Sequence, residues 1–273
     1  MTLKVKPYVT KLDKNNAFWM AKLAQSVYIA KEGKQKLPDR DKILAALGGS
    51  EAGFVDIVAA SQNSAQGMLV EHKDYFCLAF RGTDEINDWI DNINAIAVSQ
   101  LFGSFHRGFW NSVQDIWELL YGQYKLKIQE GNRRPLFITG HSLGGAMATI
   151  AAAILAHRDV PFTACYTFGQ PRAMDKETAR IFNVECKSRV FRFHNNNDIV
   201  TRVPARVMGY SHVGEYLYIA QEGTIHPEPG FWFKFVDFVD GSVSALKEKG
   251  FDYIEDHDMA NYLAAIEQWN MVD

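Results

Sequence analysis

The chain has 273 residues, 47% hydrophobic and 22% charged, enough to bury one sizeable α/β core in preference to two small ones. A formal net charge of -3 without a long basic stripe argues against nucleic acid as a partner. The cysteine count is odd (Cys77, Cys165 and Cys186), and the first two sit in apolar runs that read as strands, so buried thiols are expected rather than bridges.

No uninterrupted apolar region precedes Lys22 and no small-residue cleavage site follows, so no signal peptide is legible. No stretch approaches the roughly 18 apolar residues that cross a bilayer; the richest, 231–239, is interrupted by Lys234 and Asp237. Localisation stays open: cytoplasmic, or exported by a route not readable here.

In chain order, Phe18, Ala21, Leu23, Ala24, Val27 and Tyr28 recur at helical spacing behind the capping candidates Asn15 and Asn16. Short β-like runs at 54–58, 67–70 and 75–80, separated by turn residues, predict hairpins. After Arg81-Gly82-Thr83 the pattern turns helical: Ile86, Trp89, Ile90, Ile93 and Ile96 share one face, opposite Asp84, Glu85, Asp88, Asp91 and Asn92. A second amphipathic helix is expected over about 106–129, with Val113, Ile116, Trp117, Leu120 and Tyr124 inward.

A buried strand, 136–139, then leads straight into Gly140-His141-Ser142-Leu143-Gly144-Gly145 and an alanine-rich helix ending near His157. Two more buried strands follow at 163–168 and 189–193. The alternation predicts a mainly parallel sheet covered on both faces, binding ligands beyond the carboxyl ends of its strands. No repeat, low-complexity segment or linker divides the chain, so residues 1–273 read as one domain.

The pentapeptide Gly140 to Gly144 matches the nucleophile elbow G-x-S-x-G, in the strand-then-helix context the motif requires. A serine held in a strained turn needs small residues two positions away on either side, which the two glycines supply. The turn also sets Ser142 at a helix amino terminus, where the free N–H of Leu143 can stabilise an oxyanion. A glycine-rich turn without chemistry is the bland alternative.

A serine hydroxyl is a weak nucleophile at neutral pH and needs a base plus a carboxylate that orients the base. In α/β-hydrolases these follow the serine in the order acid, then histidine, each on a loop after a later strand. Asp198, just past the 189–193 strand, is the first choice of acid, although it could merely close an Asn-rich turn. Asp175 is its rival, at a helix start where capping also explains it.

For the base, His257 lies in Glu255-Asp256-His257-Asp258-Met259 directly before a terminal helix carrying Tyr262, Leu263 and Ile266. His226, beside Pro227, and His212 are rivals, and the acidic neighbours of His257 could equally form a helix cap or a weak cation site. His141 reads as a packing residue. No zinc-type histidine pair, C-x-x-C or phosphate loop is present, and neither metal nor cofactor is expected.

Besides the elbow the chain carries Ala79-Phe80-Arg81-Gly82-Thr83, His106-Arg107-Gly108-Phe109, Thr167-Phe168-Gly169-Gln170-Pro171-Arg172, Asn197-Asp198 with Val203-Pro204, and Asp256-His257. In that order, from about Phe80 to His257, the set resembles the class 3, or fungal-type, lipase family of triacylglycerol hydrolases. The resemblance implies an α/β-hydrolase fold, with a central mainly parallel sheet flanked by helices, and a serine carboxylester hydrolase with Ser142, Asp198 and His257 as triad. It gives Thr83 the role of second oxyanion donor beside Leu143, against the alternative of an ordinary Gly-Thr turn.

The family's mobile helical lid would fall at about 84–98, with Ile86, Trp89, Ile90 and Ile93 toward substrate, unless that helix is permanently packed on the core. Lipid or another acyl ester is the implied substrate, met at a lipid-water interface. Trp232, Phe233, Phe235 and Phe238 would be a second lipid-facing wall or, equally, core. The absence of a signal sequence and of paired cysteines departs from the secreted members and puts export in doubt. Acyl-chain preference, regiospecificity and oligomeric state do not carry over, and an esterase or phospholipase, or a non-catalytic lipid-binding module on the same fold, stand as alternatives.

Overall fold

The computed structural model describes residues 3–33, 36–86, 88, 90, 94–228 and 255–269. Helix α1 (Lys14–Ser26) opens the fold with Asp13 as its cap, whose carboxylate accepts from the N–H groups of Asn15 and Asn16. The capping expected of Asn15 or Asn16 is thus taken by the preceding residue, because a carboxylate serves the positive helix end better than an amide. Asn16 instead pins the incoming chain: its Oδ1 accepts from Lys6 N at 2.8 Å and its Nδ2 donates to Lys6 O at 3.1 Å.

After α2 (Arg40–Leu47) and α3 (Gly49–Ala52), β1 (Phe54–Gln62) and β2 (Ala65–His72) form the expected hairpin, closed by Asn63 and Ser64. Asn63 adopts φ 52, a conformation asparagine tolerates in tight turns. The chain continues through β3 (Phe76–Phe80), β4 (Ala97–Gln100), β5 (Gly103–His106), α4 (Arg107–Gln129), β6 (Leu136–His141) and α5 (Leu143–His157). Then come β7 (Ala164–Phe168), β8 (Met174–Asp175), α6 (Lys176–Cys186), β9 (Val190–Asn195), β10 (Tyr210–Ser211), β11 (Glu215–Ile219), β12 (Ile225–Pro227) and α7 (Met259–Gln268).

Among the described residues eight strands make one sheet in the order β1-β2-β3-β6-β7-β9-β11-β12. Its middle, β3-β6-β7-β9-β11, is parallel, as expected, while β1, β2 and β12 add antiparallel edges. Strand alternation sends Phe76, Leu78, Phe80, Leu136, Ile138, Cys165 and Val190 to one core, with α4, α5 and α6. Cys77, Ala79, Phe137, Tyr166, Phe168, Phe191 and Phe193 face the other, with α1 and α7. Buried on both faces, these strands read in sequence as continuous apolar runs.

A second, antiparallel sheet, β10-β8-β5-β4, was not legible. It corrects the helical reading near Ile96 and the lid boundary at 98: Ile96 is 42% exposed, and Ala97 begins a strand paired with His106. Pairing with β5 satisfies the β4 backbone, so the helical side-chain spacing is overridden there. The loops after β3, β6, β7 and β9 all leave the carboxyl edge of the parallel strands, where the candidate site assembles.

Candidate active site

Ser142 sits between β6 and α5 with φ 59 and ψ -132, the strained geometry of a sharp strand-to-helix elbow. A Cβ on Gly140 would lie 2.2 Å from Gly144 O, and one on Gly144 would lie 2.1 Å from Phe80 O, so no side chain fits at either position. The serine N–H donates to Phe168 O at 2.9 Å, tying the elbow to β7. Leu143 is the first residue of α5, where backbone N–H groups lack intrahelical acceptors.

Asp198 and His257, 59 residues apart in sequence, meet at 2.8 Å through Oδ2 and Nδ1, both fully buried. The same carboxylate oxygen accepts from the Tyr262 hydroxyl at 2.5 Å, and Oδ1 accepts from Val200 N at 2.9 Å. Burial works to raise the Asp198 carboxyl, but the His257 imidazole and its hydrogen bond, with His194 and Tyr262, outweigh it and hold the group below the usual carboxylate range. An ionised carboxylate only accepts, so Nδ1 of His257 carries a proton and donates to Asp198.

The backbone at Phe168 and Gly169 adjoins both that pair and the serine: Phe168 O receives the Ser142 N–H, while a Cβ on Gly169 would lie 2.8 Å from both Asp198 Oδ2 and His257 Cε1. The His141 ring, one residue before the serine, lies 4.6 Å from the His257 ring. Ser142 Oγ and His257 Nε2 are both buried without a hydrogen-bond partner among the described residues, so the bond expected between them is not formed in this structure.

Thr83 follows β3 on a loop that abuts the elbow, since a Cβ on Gly82 would come within 2.7 Å of Ser142 Cβ. Thr83 Oγ1 accepts from Glu85 N at 3.1 Å, and the loop is clamped by Arg81, which donates two hydrogen bonds to Asp84. Thr83 and Leu143 share the wall of a cavity of about 430 Å³ with Asn94, Ile96, His106 and Ser112. His106 Nδ1 caps α4 by accepting from Phe109 N, and burial lowers its pKa to about 4.

The rival residues have structural duties. Asp175 caps α6 by accepting from Thr178 N at 2.8 Å, His212 Nε2 donates to Thr201 O at 2.7 Å, and His226 is an exposed residue of β12. Of the acidic neighbours of His257, Asp258 caps α7, and Asp256 holds the Asn-rich turn by accepting from Asn196 Nδ2 and Asn197 N at 3.1 Å each.

The roles of two groups escaped the sequence reading, Tyr262 and Tyr28, while Asp256, read as a cap or weak cation ligand, instead holds the Asn-rich turn. The tyrosines were counted as apolar members of helical stripes, and nothing in the sequence marks where a hydroxyl will point. His141, read as packing, is 4% exposed and hydrogen-bonds through both ring nitrogens, to Tyr28 Oη and to His257 O, each at 2.8 Å.

Ile86 and Ile90 pack against Ile199 and Val200, immediately after Asp198. Trp89, Ile93 and the aromatic cluster of Trp232, Phe233, Phe235 and Phe238 lie outside the described residues. Among the described residues no helix is long and apolar enough to cross a membrane.

Residues 77–208 match the family described as Lipase (class 3). The chain is 28% identical over 145 residues to a protein named secreted mono- and diacylglycerol lipase A from Penicillium cyclopium, covering 52% of this chain and 47% of that one. It is 30% identical over 190 residues to secreted mono- and diacylglycerol lipase 1 from Fusarium solani, covering 66% and 53%. The chain thus spans about half the length of these curated relatives. The crystal structure of a single-site variant of the Penicillium cyclopium protein MDLA superposes with a TM-score of 0.68 at 21% identity, covering 89% of this chain and 96% of that one.

Proposed function

From the match of residues 77–208 to the class 3 lipase family, with the α/β-hydrolase fold, we propose that this chain is a class 3 lipase-type serine carboxylester hydrolase that cleaves acylglycerol esters through an acyl-enzyme. The observation that carries the reading is the buried His257–Asp198 pair at 2.8 Å, packed beside an elbow that holds Ser142 at φ 59. Ser142 Oγ attacks the ester carbonyl as His257 Nε2 removes its proton, and Asp198 stabilises the imidazolium that forms. The N–H groups of Leu143 and Thr83, with the Thr83 hydroxyl, take up the oxyanion. His257 then protonates the departing alcohol, and water attacks the acyl-serine by the same proton path in reverse to release the acid.

Ser142 has no exposed surface, so substrate reaches it only if the cover moves. The segment between Thr83 and the strand that begins at Ala97, packed through Ile86 and Ile90 on Ile199 and Val200, is the element whose displacement would open the cavity at a lipid-water interface. The relatives are named mono- and diacylglycerol lipases, and we take the same substrate class for this chain, with residues 1–273 acting as one domain and no cofactor. An organophosphonate should label Ser142 stoichiometrically, and Ser142→Ala should abolish both labelling and ester cleavage. Turnover that persists in the alanine variant refutes the assignment.

A further inference from the structure

One unbroken chain of hydrogen bonds runs behind the proposed catalytic groups. Gly82 N–H donates to Tyr28 Oη at 3.0 Å, Tyr28 Oη lies 2.8 Å from His141 Nδ1, and His141 Nε2 lies 2.8 Å from the carbonyl of His257. Chemistry fixes each direction. A carbonyl only accepts, so His141 carries its proton on Nε2; its Nδ1 is then an acceptor, and the Tyr28 hydroxyl donates to it while accepting from Gly82.

This arrangement does not titrate in the neutral range. Burial, with the neighbouring His257, lowers the His141 pKa to about 3 against weaker opposing contributions from Asp198 and the His257 carbonyl, and burial also raises the Tyr28 phenol far above its usual value. Both ring nitrogens of His141 are occupied, which leaves it unable to serve Ser142 as a second base.

The two ends of the chain are what give it meaning. Gly82 immediately precedes Thr83, whose N–H must aim at the oxyanion, and the other end grips the main chain of His257 itself. These loops are separated by well over half the sequence, and His141 and Tyr28 reach across 116 and 54 positions respectively to hold them. Oxyanion donors work only within about 2.7–3.1 Å of the oxygen, and a displacement of about 1 Å can lower a rate on the order of a hundredfold.

We infer that His141 and Tyr28 are positioning residues that lock the oxyanion loop and the base-bearing loop to one another through the elbow. The inference rests on the serine-hydrolase reading above. Neither side chain hydrogen-bonds to the reacting atoms; the His141 ring packs 4.6 Å from the His257 ring, and the hydrogen bonds of both residues hold backbone.

The test compares Tyr28→Phe, His141→Leu, His141→Gln and the Tyr28→Phe/His141→Leu double variant with the wild type. Its readouts are melting temperature, kcat and KM on a soluble ester, the rate of phosphonate labelling of Ser142, and affinity for a boronic acid that forms a tetrahedral adduct. Tyr28→Phe and His141→Leu should each lower kcat, labelling rate and boronate affinity in parallel, by about 10- to 100-fold. KM should stay within about twofold, because ground-state binding does not use the oxyanion donors.

The double variant should be no worse than about the worse single change, since both break one connection. His141→Gln, whose amide can donate to the His257 carbonyl, should recover part of the loss. Wild-type kcat and labelling rate in Tyr28→Phe, or losses that simply multiply in the double variant, overturn the inference. If His141→Leu does not fold, Tyr28→Phe still decides, because it removes one oxygen atom. A wild-type protein that phosphonate leaves unlabelled would instead sink the serine-hydrolase reading.

Discussion

Tyr262 and His257 donate to one and the same oxygen of Asp198, and the tyrosine hydroxyl in turn accepts from Asn195 N at 2.9 Å. A buried carboxylate that loses such a donor keeps its desolvation cost but loses part of what offsets it. Tyr262→Phe should therefore lower stability by about 1.5–3 kcal/mol, read as a drop in urea midpoint. It should also shift Asp198 upward. In the proposed mechanism that group stays ionised to stabilise the imidazolium, so the acid side of the kcat/KM profile should move to higher pH. A variant with an unchanged acid limb and urea midpoint would show that Tyr262 merely fills space. At this scale the elbow at Ser142 was legible through spacing, and the pairing of Asp198 with His257 through their order along the chain, whereas the bond from His257 to Ser142 is not formed. Tyr262, Tyr28 and the second function of His141 were hidden, because an aromatic in an apolar stripe looks the same in sequence whether or not its polar atom finds a buried partner.

Among the elements, the segment after Thr83 combines the clearest expectation with the clearest boundary error. Its apolar face was legible as a helical repeat, and Ile90, only 5% exposed, packs on Ile199 and Val200. Its end was not legible, because the strand beginning at Ala97 exists only by pairing with β5, a contact that no local pattern announces. If this segment is the cover of the site, Ile90→Ser removes apolar burial that favours the closed form. A loss of about 2 kcal/mol corresponds to a shift of about 30-fold in the open-to-closed ratio. The variant should hydrolyse dissolved short-chain esters faster than the wild type, and the rate jump on crossing the solubility limit of a long-chain ester should shrink. A wild type fully active on dissolved esters and inactive on emulsions would identify a fixed surface helix and favour an esterase. The same scale explains why α1 begins earlier than its apolar repeat: capping by Asp13 is a backbone matter, set before the first buried side chain.

For the whole molecule, alternating buried strands and amphipathic helices were enough to read the α/β class, since parallel strands covered on both faces leave unbroken apolar runs. The order of strands and the second sheet were not readable, because they depend on pairings between distant segments. What the assembled molecule adds is a set of histidines held neutral. Burial lowers His141 to about 3 and His106 to about 4, and burial beside Arg192 and Arg172 takes His212 well below its usual value. In the unfolded chain each titrates near 6.5. A histidine with a depressed folded pKa binds its proton more readily when unfolded, so its contribution to stability is complete above about pH 6.5 and is lost as pH falls toward the folded value. Between pH 6.5 and 5 His141 and His106 together forfeit about 3 kcal/mol, a large share of the 5–15 kcal/mol that typically holds a domain together. Asp198 extends the decline below about pH 4, because its depressed carboxyl stabilises the fold only while ionised. Melting temperature should thus fall steeply from pH 7 to pH 5, with proton uptake on unfolding measurable by titration calorimetry at pH 5.5. His106→Asn should flatten that slope by about a third to a half even where it lowers the plateau at pH 7, because it deletes a titrating group along with its contacts. A melting temperature constant from pH 7 to pH 5 would mean that these imidazoles are protonated in the folded state, and with His141 charged the tautomer that binds Tyr28 to the His257 carbonyl could not persist.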